Sequence, residues 1–104
     1  MNTCIDNSSF GNLVYEYKNG LDFIRVYSDG WCEQGGLVET GSETSKTVNL
    51  LKNYDNTNYT ILVTGVYSSN AYPVTISATA NSTFTIAKPS AVRSFYWHAV
   101  GYLG

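Results

Sequence analysis

The sequence predicts an all-β fold: an antiparallel β-sandwich of about eight strands, preceded or edged by a β-meander and with negligible helix. Three observations carry that reading. Val, Ile, Thr, Tyr, Phe and Trp number 40 among the 104 residues, against 25 for Ala, Leu, Glu, Lys, Gln, Met and Arg together, and the first set fits a pleated, half-buried surface better than a helix. Apolar residues alternate with polar ones, a period of two, and no segment carries a helical stripe. Turn-forming clusters of Asn, Asp, Ser, Gly and Pro recur at short intervals, as the loops of a sandwich require.

Residues 1–11, MNTCIDNSSFG, show no periodicity and are expected to be a flexible tail or the end of something longer. The folded domain is expected to span 12–104. Leu13, Tyr15 and Tyr17 alternate with Val14, Glu16 and Lys18 up to Asn19-Gly20, a pair suited to a tight hairpin because both residues tolerate positive φ. A second strand returns from Leu21, with Phe23, Arg25 and Tyr27 on one face and Ile24 and Val26 on the other, and ends at Ser28-Asp29-Gly30. A loop closed by Gly30 sets Tyr27 against Trp31, Val26 against Cys32 and Arg25 against Glu33, and side-chain pairing favours this register over a two-residue loop. The meander then has a core face of Leu13, Tyr15, Tyr17, Ile24, Val26 and Cys32. Its other face sets a charged row, Glu16, Arg25 and Glu33, beside Phe23, Tyr27 and Trp31. That is more aromatic area than a solvated face carries, and it suits either partial cover by the chain itself or contact with a second copy.

Gly35-Gly36 is expected to bend or end the third strand, and residues 39–45 to form a loop. Further strands are expected at Lys46–Leu51, Asn58–Gly65, Tyr72–Ala80, Thr83–Ala87 and Arg93–Leu103, with Pro73 and Pro89 at strand starts, edges or loops.

Charge and chemistry narrow the function. Six Lys and Arg stand against eight Asp and Glu, a net charge of -2, which leaves no electrostatic footprint for nucleic acid. No apolar run reaches the ~18 residues of a membrane span, and Met1–Asp6 has neither the basic region nor the apolar stretch of a signal peptide. Cys4 and Cys32 lack metal or redox spacing, and Cys32 reads as a buried free thiol rather than half of a bridge. The single histidine, His98, reads as a hydrogen-bonded packing residue among Tyr96, Val100 and Tyr102. Carboxylates are scattered, and no nucleophile elbow, phosphate loop or metal-ligand spacing occurs, so the expectation is a binding protein with no catalytic residues, cofactor or metal.

Recognition then falls to neutral groups in turns. Tyr67 and Tyr72 flank Ser68-Ser69-Asn70-Ala71, giving two aromatic faces around a hydrogen-bonding tip. Tyr67, Asn70 and Tyr72 are therefore the principal candidate contacts. Tyr54 in the other long turn and Arg93 at the entry to the last strand are secondary, the arginine as a donor to a glycan carboxylate or hydroxyl.

Three stretches carry a family resemblance: FIRVYSDGWCEQGG, TVNLLKNYDNTNYTILVTG and TFTIAKPSAVRSFYWHAVGYLG, which together span about residues 23–104. A glycine turn leads into Gln34-Gly35-Gly36, a Val-x-Leu strand leads to Asn58-Tyr59-Thr60, and the last strand reads Trp97-x-Ala99-x-Gly101-Tyr102. In this order they resemble the C-terminal domain at the tip of many bacteriophage tail fibre proteins. The resemblance implies a homotrimeric distal module that recognises bacterial surface polysaccharide or an outer-membrane protein, carried on the virion and assembled in the bacterial cytoplasm. A structural cap that only trimerises the fibre would share the same core. Residues 46–104 are also similar in strand order to the H-type lectins, trimeric sandwiches that bind N-acetylgalactosamine. Those lectins place a Trp-His pair before the last strand, whereas Trp97-His98 lies within it here, so their sugar residues do not carry over. Replacing Tyr67 and Tyr72 by Ala is expected to abolish staining of host cells by the labelled domain while thermal unfolding stays nearly unchanged. Full staining by a folded double variant would place the contact elsewhere.

Overall fold

The computed structural model describes residues 11–66 and 73–103. Eight strands follow in order: β1 (Leu13–Asn19), β2 (Asp22–Tyr27), β3 (Trp31–Glu39), β4 (Ser45–Asn49), β5 (Thr60–Gly65), β6 (Thr75–Thr79), β7 (Thr83–Ala87) and β8 (Ser94–Tyr102). They form two antiparallel sheets, one of five strands in the order β1-β2-β3-β8-β5 and one of three in the order β4-β7-β6. Among the described residues there is no helix. The meander is thus part of the larger sheet, joined to the rest through β8.

The first hairpin turns at Gly20, whose φ of 63° suits glycine, and the second closes with Gly30 at φ 92°, its N–H donating to the Tyr27 carbonyl at 2.9 Å. The glycine-closed loop sets Val26 opposite Cys32 and Arg25 opposite Glu33. Here the expected register is the observed one.

Gly35-Gly36 does not end β3. The strand runs through both glycines and pairs with β8 from Trp31 opposite Tyr102 to Glu39 opposite Ser94. The glycines are needed for close approach. A Cβ on Gly35 would lie 2.5 Å from the Trp97 carbonyl oxygen and 2.9 Å from the Phe23 ring, and one on Gly36 would strike the Asp22 carboxylate. With no side chain between them, Phe23 and His98 meet over Gly35, ring centroids 5.7 Å apart.

Between the sheets lie Ile24, Val26 and Cys32 of the meander, Phe95, Trp97 and Ala99 of β8, and Val48, Phe84 and Ile86 of the smaller sheet. Phe84 and Trp97 join the layers, with centroids 5.4 Å apart. The inward residues of β8 shrink in order, Trp97, Ala99, Gly101, and the space this opens is filled by Tyr54 and Tyr59, whose rings stack at 4.4 Å. A Cβ on Gly101 would come within 2.8 Å of the Tyr59 Cβ. Both hydroxyls are satisfied inside: Tyr54 donates to the Cys32 carbonyl at 3.0 Å, and Tyr59 lies against the carbonyls of Ala80 and Thr83. Burial pushes both phenols above their ordinary pKa and does the same to the free Cys32 thiol.

One expectation is corrected at β1. Leu13, Tyr15 and Tyr17 are not core residues: every residue of β1 is exposed, because three strands cannot cover five and the first hairpin overhangs the smaller sheet. A register shift between Leu13 and Tyr15 also sets Leu13 opposite Tyr27, out of line with the two tyrosines.

Gln34 is fully buried in the core, and its amide is occupied by the turn after β4. Oε1 accepts from the backbone N–H groups of Leu51 at 2.7 Å and Lys52 at 3.2 Å, while Nε2 donates to the Lys52 carbonyl at 2.9 Å. Gln34→Met keeps the volume and removes all three bonds, so urea unfolding is expected to show a loss of about 2–3 kcal/mol. A loss below about 0.5 kcal/mol would mean that water replaces the amide at no cost. Because the two buried phenols resist ionisation in the folded state, the stability they contribute is complete below about pH 10 and falls above it, by up to ~1.4 kcal/mol per pH unit for each. Tyr54→Phe is expected to remove one phenol's part of that alkaline slope; an unchanged slope would contradict it.

Candidate functional site

The two ends of the sandwich carry different candidate residues. At one end lie the turns 28–30, 50–59 and 80–82, bound together by Leu50 N–H to the Ser82 carbonyl at 3.0 Å, Tyr54 N–H to Asn81 at 2.9 Å and Leu103 N–H to Gly30 at 2.8 Å. At the other lie the loops 40–44 and 88–93, the end of β5 at Gly65 and the start of β6 at Thr75.

Tyr54 belongs to the first end and is 2% exposed. It stands in a long turn as expected, yet its ring is needed against Gly101 and its hydroxyl is spent on Cys32, so it is a packing residue rather than a contact group. Arg93 belongs to the second end. It is exposed, its Nε donates to the Ser90 carbonyl at 3.1 Å, and its own carbonyl accepts from Thr40 at 2.8 Å. Val66 N–H donates to the next carbonyl along, that of Ser94, at 3.0 Å. This puts Arg93 beside the start of the segment that holds Tyr67, Asn70 and Tyr72; those three lie outside the described residues. Arg93 and Tyr54 are therefore at opposite ends and cannot serve one site.

Lys88 builds the Arg93 end. Only 4% exposed, its ammonium donates to the carbonyls of Gly41 at 3.1 Å, Glu43 at 2.6 Å and Val92 at 2.6 Å. Three donors meet three acceptors, which offsets the desolvation of the charge and ties loop 40–44 to loop 88–93. The Glu43 carboxylate accepts from Gly41 N–H at 2.6 Å, and backbone hydrogen bonds hold its pKa below the usual range.

The outer face of the five-stranded sheet is a second candidate surface. Arg25 Nε donates to Glu16 at 2.7 Å and the Trp31 indole to Glu33 at 3.0 Å, so Arg25 and Glu16 of the expected charged row form an ion pair and Glu33 is held by a neutral donor. Trp31 and Tyr102 meet edge to face at 5.0 Å. The aromatic area continues across β8 and β5, where Tyr96, Tyr102 and Leu62 are 47%, 59% and 63% exposed. His98 is exposed on this face against Phe23, which corrects the expectation of a packed histidine: among the described residues nothing covers that side of β8. The alternation Tyr96, His98, Val100, Tyr102 was visible in the sequence and is what could have marked this half of the face. Among the described residues no three His, Cys, Asp or Glu side chains gather as a metal cluster.

A third feature lies under the overhang of β1. Tyr15, Tyr17, Ile24, Leu51 and Lys52 line an open cleft of about 340 Å³ between the first hairpin and the turn held by Gln34. Sequence reading assigned the two tyrosines to the core and so missed it.

No family model and no curated protein matches the sequence. Solved structures do. The chain is similar to an N-truncated R2-type pyocin tail fibre, with a TM-score of 0.69 and 15% identity over 91% of this chain and 41% of that one. A C-terminal portion of the P. aeruginosa R2 pyocin fibre aligns with the same TM-score and identity over 91% of this chain and 28% of its own length. An N-truncated R1-type pyocin tail fibre aligns with a TM-score of 0.62 and 16% identity over 92% of this chain and 93% of that one. The chain thus spans less than half of the first two structures, and none of the three is described as a lectin. At these identities the likeness is one of fold: this all-β sandwich is built like the C-terminal domains of R-type pyocin tail fibres.

Proposed function

We propose that the chain is a distal domain of a phage or phage-like tail fibre, acts as a homotrimer, and binds the bacterial host surface without catalysis. The fold shared with pyocin tail fibres over more than nine-tenths of the chain carries the reading. The outer face, uncovered among the described residues, supports the homotrimer. A sheet side bearing Phe23, Trp31, Leu62, Tyr96 and Tyr102, with Arg25 already paired to Glu16, is poorly suited to water and well suited to a second copy. Host contact is assigned to the Arg93 end, where Lys88 fixes two loops and where Val66, the residue before Tyr67 in the sequence, hydrogen-bonds to Ser94. The receptor class is surface polysaccharide or an outer-membrane protein. Sparse surface charge leaves neutral stacking and hydrogen bonding as the source of affinity.

Staining of whole bacteria by the fluorescently labelled domain tests the reading. Strain-selective staining is expected, and failure on every strain of a broad panel would contradict host recognition. Light scattering at micromolar concentration is expected to give three times the 11.4 kDa chain mass. Tyr96→Glu with Tyr102→Glu is expected to give a folded monomer; a wild-type monomer, or a double variant that stays trimeric, would remove the outer face as the shared surface.

A further inference from the structure

The cleft under β1 has the features of a built binding site, and no part of the assignment above uses it. Its walls come from two separate parts of the chain, and each is fixed. Tyr15 and Tyr17 lie two residues apart on one strand, so their rings are spaced by roughly 7 Å on the same side. Pairing of Tyr15 with Val26 and Tyr17 with Ile24 sets their height above the sheet. The opposite wall, Leu51 and Lys52, is exposed in its side chains but held at its backbone by the buried Gln34 amide through three hydrogen bonds. Ile24, 2% exposed, forms the floor. Most of the cleft's shape is therefore present before any ligand arrives, which limits the entropy lost on binding.

Its chemistry is selective. The two tyrosines are about half exposed, with ring faces available for stacking and hydroxyls for hydrogen bonds. Lys52 brings the cleft's one charge among the lining residues, and it is positive. The ion pair of the described residues, Glu16 with Arg25, lies on the other face of the sheet and does not neutralise it. Apolar stacking surface, phenolic hydroxyls and a single ammonium in about 340 Å³ match a small ligand with a flat apolar side, a polar rim and one negative charge.

We infer that the cleft formed by Tyr15, Tyr17, Ile24, Leu51 and Lys52 binds an acidic sugar residue, its ring stacked on the tyrosines and its carboxylate held by the Lys52 ammonium. The ring face meets tyrosine because pyranose C–H groups and aromatic carbons exclude water together. The carboxylate meets lysine because a charge-assisted bond at the cleft edge discriminates acidic from neutral sugars. The inference uses the host-surface reading only for the source of the sugar, an anionic polysaccharide; the cleft chemistry stands apart from it. It is also distinct from the Arg93 end, since Lys52 belongs to the turn region at the opposite end of the sandwich.

Titration of the isotope-labelled trimer or monomer, whichever the protein forms, with trigalacturonate and with its methyl ester tests this by NMR. Saturable shifts are expected at Tyr15, Tyr17 and Lys52 with the acid. Affinity should fall at least tenfold for the ester, for Lys52→Gln, and for Tyr15→Leu with Tyr17→Leu, and it should weaken between 50 and 500 mM NaCl. The variants replace exposed groups, and unchanged thermal unfolding is to be verified for each. Absence of shifts at 20 mM trigalacturonate, equal affinity for the ester, or full affinity in Lys52→Gln would each overturn the inference. So would occupation of the cleft by a neighbouring copy, seen as Tyr15 and Tyr17 shifts that follow protein concentration. Whole-cell staining separates the two proposals: a domain that stains cells but shows no shifts with trigalacturonate rejects the cleft alone, whereas trigalacturonate binding by a domain that stains no strain rejects the host-surface reading alone.

Discussion

The pairing of β3 with β8 is the constraint on which the remaining structure depends. Nine residue pairs, from Trp31 opposite Tyr102 to Glu39 opposite Ser94, join the N-terminal meander to the C-terminal strand. That ladder makes one sheet of what would otherwise be two, and it requires the two backbones to approach where Gly35 faces His98 and Gly36 faces Trp97. Any Cβ at these positions meets the Trp97 carbonyl, the Phe23 ring or the Asp22 carboxylate. The glycines weaken the local strand through backbone entropy, and the Phe23–His98 contact across the gap restores packing there.

Once β3 and β8 are joined, the sheets are unequal and the exposed surfaces follow. A three-stranded layer reaches the inner side of β2 and leaves β1 projecting beyond it. The projecting hairpin makes the cleft with Lys52, and among the described residues the outer side of the five-stranded sheet has no layer above it. Gln34 links the two consequences. Its backbone continues the ladder, and its side chain holds the turn that forms the far wall of the cleft.

The strands were legible because their signals are local. Alternation marked β2, β7 and β8, and Gly30 set the β2–β3 register that the structure shows. What was not legible depended on partners distant in sequence. Whether Gly35-Gly36 ends a strand or admits close approach is decided by Trp97 and Phe23. Whether Tyr54 is a lid or a core residue is decided by Gly101, 47 positions away. Tyr15 and Tyr17 carry the pattern of a buried face, and only the width of the other sheet decides that no described strand covers them. On the site, the sequence placed Arg93 at the entry to the last strand, and the structure shows it exposed just before β8, whereas the sequence could not show that Tyr54 sits at the other end.

The central claim is that the meander and the sandwich form one cooperative unit through Gly35-Gly36. Native-state amide hydrogen exchange measured residue by residue tests this most directly. One unit predicts that the ladder amides of β3 on both sides of the glycines, those of β8, and those of β2 at Ile24 and Val26 exchange with the same, global opening free energy. Protection that stops at Gln34, with the meander opening as a separate and weaker unit, would contradict it.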